Sequence, residues 1–300
     1  MSQNNSKVFI TGIDSFTGKY VANEFALLGY EIYGSTKAKE NVKNNVYYMD
    51  LLDQSNIENI IRKVKPRVVI HLAAITFIPY NNIKDIYDVN VIGTLNLLVS
   101  IDNANLSIDA ILLPSSANVY GNPISKNKAI TEAAPTRPNN HYAVSKMTME
   151  NIAKLWLKEL PIIITRPFNY SGVGQSDIFL LPKIVNHFKN KKKNIELGNI
   201  HVKRDFSDVR FLAEAYRKLI TKPMIGEVVN ICSGVPTSII SIISMMEKIA
   251  GYQIKININQ KLIRENDIEV LYGSNIKLLS QISGLTTYKL EDTLLWIYSS

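Results

Sequence analysis

Short β-branched runs alternate with segments of helical periodicity from the start of the chain to residue 166. Lys7–Thr11 is such a run, and after a glycine-containing turn the apolar residues of Gly18–Gly29 recur at helical spacing. Alternation of this kind predicts a doubly wound α/β fold, with a parallel sheet covered by helices on both faces. The later predicted strands are Glu31–Ser35, Val46–Met49, Arg67–Leu72, Ala110–Pro114 and Ile162–Arg166, and the helices are Gln54–Lys63, Ile83–Val99 and His141–Leu160.

The alternation ends near residue 170. Loops are predicted over 171–174 and 194–199, followed by a helix over Val209–Thr221 and a strand over Glu227–Cys232 that rejoins the sheet. We therefore expect one large domain over residues 1–168, with a strand and helix returning near 206–232. A smaller, interleaved region is expected from residues 169–205 and 233–300.

Composition excludes several classes of protein. With 46% hydrophobic and 20% charged residues in 300, the chain has the composition of an ordinary globular protein. The net charge of +8 comes from scattered side chains, apart from Lys189–Lys193, which we interpret as a solvated helix end or loop. No nucleic-acid partner is expected. The longest apolar run, 68–78, contains His71 and is too short to span a bilayer, so no membrane insertion is expected.

Cysteine and histidine usage predicts neither disulfides nor a metal site. Cys232 is the single cysteine of the chain, which excludes an internal disulfide and a cysteine-built metal site and fits a reducing, cytoplasmic setting. Its apolar strand predicts a small buried side chain rather than a nucleophile. The four histidines lack metal-ligand spacing, so no metal is expected.

Gly12 and Gly18 bracket the turn between the first predicted strand and helix. A glycine in the turn permits positive φ, a glycine in the helix permits close packing, and the helix N-terminus can receive a pyrophosphate. A tight turn that binds no ligand remains an alternative.

The end of the second strand indicates which dinucleotide such a turn would bind. A carboxylate usually stands there when the adenosine ribose of NAD is bound, but this chain has Thr36 and Lys37. A hydroxyl and an ammonium suit a 2′-phosphate better, which favours NADPH and leaves NADH possible. Asp50 follows the third strand and could either cap the next helix or bind the adenine amine.

Tyr142 and Lys146 are four residues apart on a predicted helix, so they share one face. A phenol has a pKa near 10, and an adjacent ammonium lowers it toward neutral pH. Such a pair can exchange a proton with an alcohol or carbonyl oxygen, provided that a cofactor exchanges the hydride. Ser116 lies upstream and adds a hydroxyl. The spacing of Tyr142 and Lys146 alone also occurs by chance.

Together these motifs resemble those of the extended short-chain dehydrogenase/reductase family, in its nucleotide-sugar-modifying branch, over essentially the whole chain. Thr11, Gly12 and Gly18 match the family's glycine-rich turn, with Ser15 in place of its middle glycine, and the segment 115–121 resembles its serine loop. The resemblance implies a Rossmann domain with Ser116, Tyr142 and Lys146 as catalytic residues. The implied cofactor contacts are Gly12, Ser15, Phe16, Gly18, Thr36, Lys37, Asp50, Leu51, Leu72, Ala73, Ala74, Asn90, Tyr142, Lys146 and Pro167.

The serine loop distinguishes between activities within this branch. Sugar 4,6-dehydratases carry an acidic residue directly after the catalytic hydroxyl, because eliminating water requires its own acid and base. Ala117 and Asn118 occupy those positions here, and neither transfers protons. The resemblance therefore implies hydride transfer at a carbonyl, either once, in a reductase, or reversibly, in a 4-epimerase with retained NAD⁺.

The second region resembles the family's sugar-nucleotide site. Ser116 and Asn169 would contact the sugar nucleotide, and Arg204 and Arg264 would bind its diphosphate, since an arginine fork matches phosphate oxygens. The segments 198–209 and 230–234 look most like the subgroup that acts on GDP-linked 4-keto-6-deoxy sugars. We expect reduction of the C4 ketone of such a sugar nucleotide, in synthesis of deoxysugar precursors of surface polysaccharides.

Two further hypotheses concern the assembly of the protein and a function of another class. The apolar outer face around Leu155–Leu157 predicts a homodimer through a four-helix bundle, although core burial of Trp156 explains the pattern equally well. A dinucleotide-binding regulator without catalysis is the alternative from another class, and the complete Ser116, Tyr142 and Lys146 set argues against it.

Overall fold

A computed structural model of the chain describes residues 6–76, 82–123, 128–263 and 268–300. Its strands are β1 (Lys7–Thr11), β2 (Glu31–Thr36), β3 (Val46–Tyr48), β4 (Val68–His71), β5 (Ala110–Pro114), β6 (Ile162–Pro167), β7 (Asn169–Ser171), β8 (Asn194–Leu197), β9 (Lys203–Asp208), β10 (Val228–Ile231), β11 (Pro236–Ser238), β12 (Lys255–Ile258) and β13 (Val270–Leu271). Its α-helices are α1 (Phe16–Ala26), α2 (Gln54–Val64), α3 (Ile83–Tyr87), α4 (Gly93–Ala104), α5 (His141–Leu155), α6 (Leu180–Lys189), α7 (Val209–Thr221), α8 (Ile239–Ala250), α9 (Ile276–Gln281) and α10 (Leu290–Ser299).

The chain forms two compact units, and its path passes between them several times. The first unit comprises Met1–Tyr120, Pro135–Arg166 and Ala213–Val229. The second comprises Gly121–Ala134, Pro167–Leu212 and Asn230–Ser300. The divisions after Arg166 and Val229 lie near the expected boundaries at residues 168 and 232, whereas Gly121–Ala134 and residues 206–212 were expected in the first domain.

The first unit is built on a seven-stranded sheet of order β10-β6-β5-β4-β1-β2-β3. The pairs from β6 to β3 all run parallel. This order is that of a doubly wound Rossmann-type sheet, so the predicted fold class is confirmed. The order reverses between β1 and β4, and ligands of such sheets bind beyond the carboxyl ends of the strands at that reversal.

The central strands have continuous apolar sequences because both faces of the sheet are buried. Consecutive residues of β4 and β5 are buried, which requires cover on both faces of the sheet. On one face, Phe9, Val69 and Ile111 share a core with residues of α2, α4 and α5. Helix α1 contributes Val21 and Phe25, the buried residues of the predicted helical pattern.

Several helix boundaries differ from the sequence prediction. Helix α1 begins at Phe16 because Ser15 caps it, two residues before the predicted start. The predicted helix over 83–99 extends to Ala104 and contains a π-helical turn, Asp88–Ile92, between α3 and α4. Helix α5 ends at Leu155 instead of residue 160, because Trp156 leaves the helical conformation with φ −98° and ψ 3°.

The second unit contains β-structure where the sequence analysis predicts loops. The predicted loop over 194–199 is wrong, because its residues Asn194–Leu197 form β8, which pairs in parallel with β12. Ser171, predicted to begin a loop, ends strand β7, which pairs with β9. Ile195 and Leu197 are buried while Asn194 and Glu196 are exposed, so the period of two was present in the sequence.

Helices α6, α8 and α10 pack around the core of the second unit, whose members include Ile184, Phe188, Ile242, Met246 and Leu294. Among the described helices, none combines the length and the apolar composition needed to cross a membrane.

A buried ion pair links α5 to β6 in the first unit. Arg166 donates from Nε and Nη2 to the two carboxylate oxygens of Glu150, at 2.9 and 2.7 Å. The side chains are 5% and 0% exposed, and the Arg166 guanidinium also stacks on the Tyr120 ring at 4.8 Å. The bidentate geometry satisfies both charges away from water.

Removing one partner of this pair should destabilise the protein strongly. Glu150→Gln keeps the shape of the side chain but leaves the Arg166 charge buried and uncompensated, so we expect the free energy of unfolding to fall by about 3 kcal/mol. Urea denaturation measures this change. The control is Asp109→Asn, which breaks an ion pair with Arg67 between half-exposed side chains and should cost about 1 kcal/mol or less. Equal losses in the two variants would contradict the account.

Candidate active site

The turn between β1 and α1 has the backbone geometry expected of a phosphate-binding loop. Gly12 adopts φ +66°, as predicted, and a Cβ there would approach the Ala73 backbone to 3.2 Å. A Cβ on Gly18 would lie 2.4 Å from the Gly12 carbonyl oxygen and 2.6 Å from that of Ile13. Only glycine fits these two positions, and the resulting turn brings backbone close to the N-terminus of α1.

Ser15 caps α1 with its own side chain. Its hydroxyl accepts a hydrogen bond from the Gly18 amide at 3.0 Å, so the residue that replaces the middle glycine satisfies one of the free N–H groups of the helix. Phe16 begins the helix and packs edge-on against Tyr20 at 5.5 Å between ring centroids.

A chain of hydrogen bonds holds the segment after β4 against this turn. The Ala73 amide donates to Thr11 Oγ1 at 3.0 Å, Thr11 contacts His71 Nδ1 at 2.8 Å, and His71 Nε2 contacts Thr94 Oγ1 at 3.0 Å. Thr94 itself donates to the Asn90 carbonyl at 2.9 Å. These donors and acceptors are all matched when His71 is neutral and carries its proton on Nε2.

His71 is buried beside a positive charge, which explains its neutrality. Burial, together with the nearby Lys146, lowers the pKa of His71 to about 3. No pattern in the sequence indicated that His71 is connected to Thr11 and Thr94. Leu72, Ala73 and Ala74 follow it directly, so the network fixes the residues that the family resemblance assigns to the cofactor.

Asn90 connects that segment to helix α5. Its amide nitrogen donates to the Ile75 carbonyl at 3.0 Å and to Ser145 Oγ at 3.1 Å, and its oxygen accepts from the Ile75 amide at 2.9 Å. Asn90 lies in the π-helical turn Asp88–Ile92 and is 1% exposed. Such turns occur frequently at functional sites. Here it joins the strand-end segment to the helix that carries Tyr142 and Lys146.

Helix α5 carries the predicted phenol and ammonium on one buried face. Asn140 caps it by accepting from the Ala143 amide, and Tyr142 and Lys146 are buried one turn apart, as their spacing predicted. The Lys146 ammonium donates to the Pro114 carbonyl, at the end of β5, at 2.8 Å. Burial lowers the pKa of Lys146 to about 8, against the opposing influence of Glu150. The amine is therefore still mostly protonated at neutral pH.

Ser116 follows β5, and Asn118 orients it. The Ser116 hydroxyl oxygen accepts from the Asn118 amide at 3.2 Å and from its side-chain Nδ2 at 3.0 Å. Two donors to the oxygen leave the hydroxyl proton to point elsewhere. Asn118, at a position where a dehydratase would carry its acid, thus acts as a hydrogen-bond donor to the Ser116 hydroxyl.

The residues at the end of β2 have partners within the protein. Thr36 is 2% exposed, and its hydroxyl donates to Asp14 Oδ2 at 2.7 Å and accepts from the Ala38 amide at 3.0 Å. The Lys37 ammonium lies 3.7 Å from the Asp50 carboxylate.

Asp50 does not cap the following helix, which was one of its two predicted roles. Asp53 caps α2 by accepting from the Asn56 amide, whereas Asp50 accepts from the Leu52 amide at 3.0 Å. The neighbouring Leu51 is buried, and its carbonyl accepts from Asn96.

The predicted substrate residues that the structure describes, apart from Ser116, belong to the second unit. Asn169 begins β7 and donates to the Asp205 carbonyl at 3.2 Å. Pro167, predicted as a cofactor contact, ends β6 and falls in the second unit. Arg204 is a partly exposed residue of β9 and donates to the Lys203 carbonyl at 3.0 Å. Arg264 lies outside the described residues.

Asp205 organises this unit and was not identified from the sequence. It is completely buried, and its carboxylate accepts from the amides of Ser233, Gly234 and Gly273 and from the Ser233 hydroxyl. Burial raises its pKa, and these hydrogen bonds oppose the shift. The carboxylate therefore ties β9 to two loops next to Arg204.

The first unit fits a dinucleotide. Gly12 and Gly18 form a cradle that a Cβ would fill, and α1 presents its N-terminus there. The Ser115 hydroxyl, next to Ser116, is buried without a hydrogen-bond partner in the described part of the chain.

No group of three histidine, cysteine or acidic side chains suited to a metal occurs among the described residues. Cys232 is buried, and burial raises the pKa of its thiol, so it is not activated as a nucleophile.

Comparison with known proteins gives matches over most of the chain. The family model described as "NAD dependent epimerase/dehydratase family" matches residues 8–232. GDP-6-deoxy-D-talose 4-dehydrogenase of Aggregatibacter actinomycetemcomitans is 36% identical, covering 93% of this chain and 92% of that protein. GDP-6-deoxy-D-mannose reductase of Pseudomonas aeruginosa is 28% identical, covering 91% and 89%. The solved structure of RMD from Pseudomonas aeruginosa, complexed with NADPH, has a TM-score of 0.86 at 27% identity and 98% coverage of both chains.

The cradle around Gly12 can be tested with a matched pair of glycine substitutions. Gly226 also has positive φ, +79°, but a Cβ there would have nothing within 4 Å. Gly226→Ala should cost about 1 kcal/mol of unfolding free energy from backbone strain alone. Gly12→Ala should cost more, because Ala73 must also move, and should weaken NADH or NADPH binding about tenfold. Equal stability losses with unchanged dinucleotide affinity would contradict the geometry.

The pKa of Lys146 predicts how stability depends on pH. The unfolded chain holds its Lys146 proton up to about pH 10.5, whereas the folded protein releases it near pH 8. Between these values the unfolded state binds more protons, so wild-type stability rises with pH relative to Lys146→Met. We expect the difference in unfolding free energy between the two proteins to change by about 2 to 3 kcal/mol from about pH 7 to about pH 10. A difference that stays constant would mean that Lys146 is not desolvated.

Proposed function

Because the chain belongs to the NAD dependent epimerase/dehydratase family, we propose that it reduces the C4 ketone of a GDP-linked 4-keto-6-deoxyhexose with NAD(P)H. The names of two relatives support this substrate, since they specify GDP-6-deoxy-D-talose and GDP-6-deoxy-D-mannose. These sugars differ only in configuration at C4. Reduction of one 4-ketone from opposite faces gives both products, so a shared 4-keto substrate accounts for both names.

The observation that best supports reduction is the pair of hydrogen bonds from Asn118 to the Ser116 hydroxyl. Both nitrogens of Asn118 donate to the serine oxygen, which leaves the serine proton for a substrate oxygen. Neither Ala117 nor Asn118 can remove a proton from a sugar carbon, as elimination of water would require. The arrangement supports chemistry at one oxygen, with a donor placed where negative charge develops during reduction.

Tyr142 is the proposed acid. When bound, the dinucleotide supplies the hydride that adds to C4, and the carbonyl oxygen then needs one proton to become the alcohol. Tyr142 donates that proton, and Ser116 hydrogen-bonds the same oxygen. The Lys146 ammonium, which donates to the Pro114 carbonyl, stabilises the phenolate that forms when Tyr142 loses its proton, and it would also bind the nicotinamide ribose.

Residues of the second unit are proposed to hold the sugar nucleotide. Arg204 and Arg264 would bind the diphosphate and Asn169 the sugar, which contributes positioning rather than proton transfer. The backbone at Arg204 is firmly placed, because the adjacent Asp205 accepts hydrogen bonds from two loops. The role of Arg264 remains a prediction from the sequence.

A homodimer through α4 and α5 is proposed on the exposure of apolar side chains. Leu155 of α5 is 78% exposed, and Ile92, just before α4, is 45% exposed. Trp156 and Leu157, in contrast, pack against the core of the first unit. A cytoplasmic location is proposed because the single cysteine, Cys232, is buried and unpaired.

A 4-epimerase would use the same three side chains, so the consumption of dinucleotide separates the two activities. The purified protein is mixed with reduced dinucleotide and the 4-keto product of a GDP-mannose 4,6-dehydratase, and the sugar formed is identified. A reductase oxidises one dinucleotide per sugar reduced. An epimerase would interconvert sugar nucleotides without net oxidation, and a non-catalytic regulator would bind dinucleotide but turn over no keto sugar.

Replacing the proposed acid should remove most of the turnover and leave binding intact. We expect Tyr142→Phe to lower kcat by about 10² to 10⁴, the usual contribution of a positioned general acid. The affinity for the GDP-sugar should change little, because the ring that fills the buried position is kept. Steady-state kinetics and equilibrium titration measure the two effects.

Tyr47→Phe is the control for loss of a phenol as such. Tyr47 lies in β3 and its ring contacts the Lys63 ammonium, away from the end of β5. This variant should keep wild-type kcat. Wild-type kcat in Tyr142→Phe would show that another group protonates the product.

A further inference from the structure

Asp14 brings a carboxylate to the end of β2 from the glycine-rich turn. Its Oδ2 atom accepts from Thr36 Oγ1 at 2.7 Å and from Asn41 Nδ2 at 2.7 Å. Thr36 is the last residue of β2, and Asn41 belongs to the short 3₁₀ turn that follows it. Three segments of the first unit therefore meet at this carboxylate.

The carboxylate is charged at neutral pH. Partial burial would raise the pKa of Asp14, but the hydrogen bonds from Thr36 and Asn41 and the charge of Lys19 outweigh it, and the pKa is lowered. A carboxylate has room for about four hydrogen bonds. Thr36 and Asn41 therefore do not exhaust its capacity to accept one from a ligand.

In a doubly wound sheet, the end of β2 is where the adenosine ribose of a dinucleotide binds. When the turn after β1 binds a dinucleotide pyrophosphate, the end of β2 faces the adenosine ribose, and an acid there accepts a hydrogen bond from its 2′-hydroxyl. The acid is normally the last residue of the strand. Here the strand ends in Thr36, and the Thr36 hydroxyl is already hydrogen-bonded to Asp14 and Ala38.

Two cations beside the end of β2 already have partners within the protein. Lys37 is directed to Asp50, with the two charged groups 3.7 Å apart. The Lys39 ammonium lies over the Tyr48 ring at 5.6 Å. A 2′-phosphate carries nearly two negative charges and would meet the Asp14 carboxylate, which like-charge repulsion opposes.

We propose that Asp14 determines the cofactor preference of this protein, accepting a hydrogen bond from the ribose 2′-hydroxyl of NADH and disfavouring NADPH. Thr36 and Asn41 are positioning residues that hold the carboxylate. This specificity rests on the proposed function, because it requires a dinucleotide in the first unit. It reverses the preference that Thr36 and Lys37 indicate in the sequence, since those side chains are engaged with Asp14 and Asp50.

The test measures binding of NADH and NADPH to the full chain without sugar nucleotide, by equilibrium titration of nicotinamide fluorescence. The wild-type protein should bind NADH about tenfold or more tightly than NADPH, the effect of one hydrogen bond to a charged group. Asp14→Asn keeps the shape and removes the charge, so the ratio of the two dissociation constants should move about tenfold toward NADPH. Asp14→Ser is the second variant, in case the amide introduced by the first substitution finds new partners.

Two further variants separate the alternatives. Asp109→Asn makes the same change of net charge at an exposed site paired with Arg67, and it should leave the ratio unchanged. Lys37→Met tests the competing assignment, in which Lys37 leaves Asp50 to bind the 2′-phosphate. It should affect NADH and NADPH equally if Asp14 determines the preference.

Several results would overturn the proposed role of Asp14. Tighter binding of NADPH than NADH by the wild-type protein would overturn the proposal, whether or not the variants fold. An unchanged ratio in both Asp14 variants, or a selective loss of NADPH affinity in Lys37→Met, would also overturn it. If neither dinucleotide bound the wild-type protein, the proposed function itself would fail, which distinguishes that failure from a wrong specificity.

Discussion

The hydrogen bond from the Lys146 ammonium to the Pro114 carbonyl connects the parallel sheet to the chemistry of the site. It joins α5 to the carboxyl end of β5 at 2.8 Å, and Lys146 is 5% exposed. Tyr142 lies one turn earlier on the same helix face, so fixing the ammonium also fixes the phenol. Because Lys146 is buried, its charge is screened less than it would be in water. The sheet thus fixes the position of the proposed proton donor.

The side chains around Lys146 add no second positive charge next to its ammonium. His71 is buried in the same region and stays neutral, with Thr11 and Thr94 matching its two nitrogens. A second cation there would repel Lys146. Asn90 joins α5 to the segment after β4, and Asn118 directs Ser116. These hydrogen bonds lie within the first unit and rigidify the site before any ligand binds.

The parts of the molecule that the sequence predicted depend on local patterns. Alternating strands and helices, glycine spacing and the interval between Tyr142 and Lys146 are properties of neighbouring residues, and they predicted the sheet and the shared helix face. Strand β8 was missed because its alternating pattern covers only four residues and its partner β12 lies much later in the chain. The environment of Thr36 was missed for the same reason, since its partner Asp14 is 22 residues away and meets it only after folding.

The central claim is that the buried Lys146 ammonium brings the ionisation of Tyr142 toward neutral pH. Titration of tyrosinate absorbance in the wild-type protein, Tyr142→Phe and Lys146→Met tests it directly. We expect one of the 15 tyrosines to ionise well below the usual pKa of about 10. That ionisation should be absent from Tyr142→Phe and return toward the usual value in Lys146→Met. A wild-type titration identical to that of Lys146→Met would contradict the account.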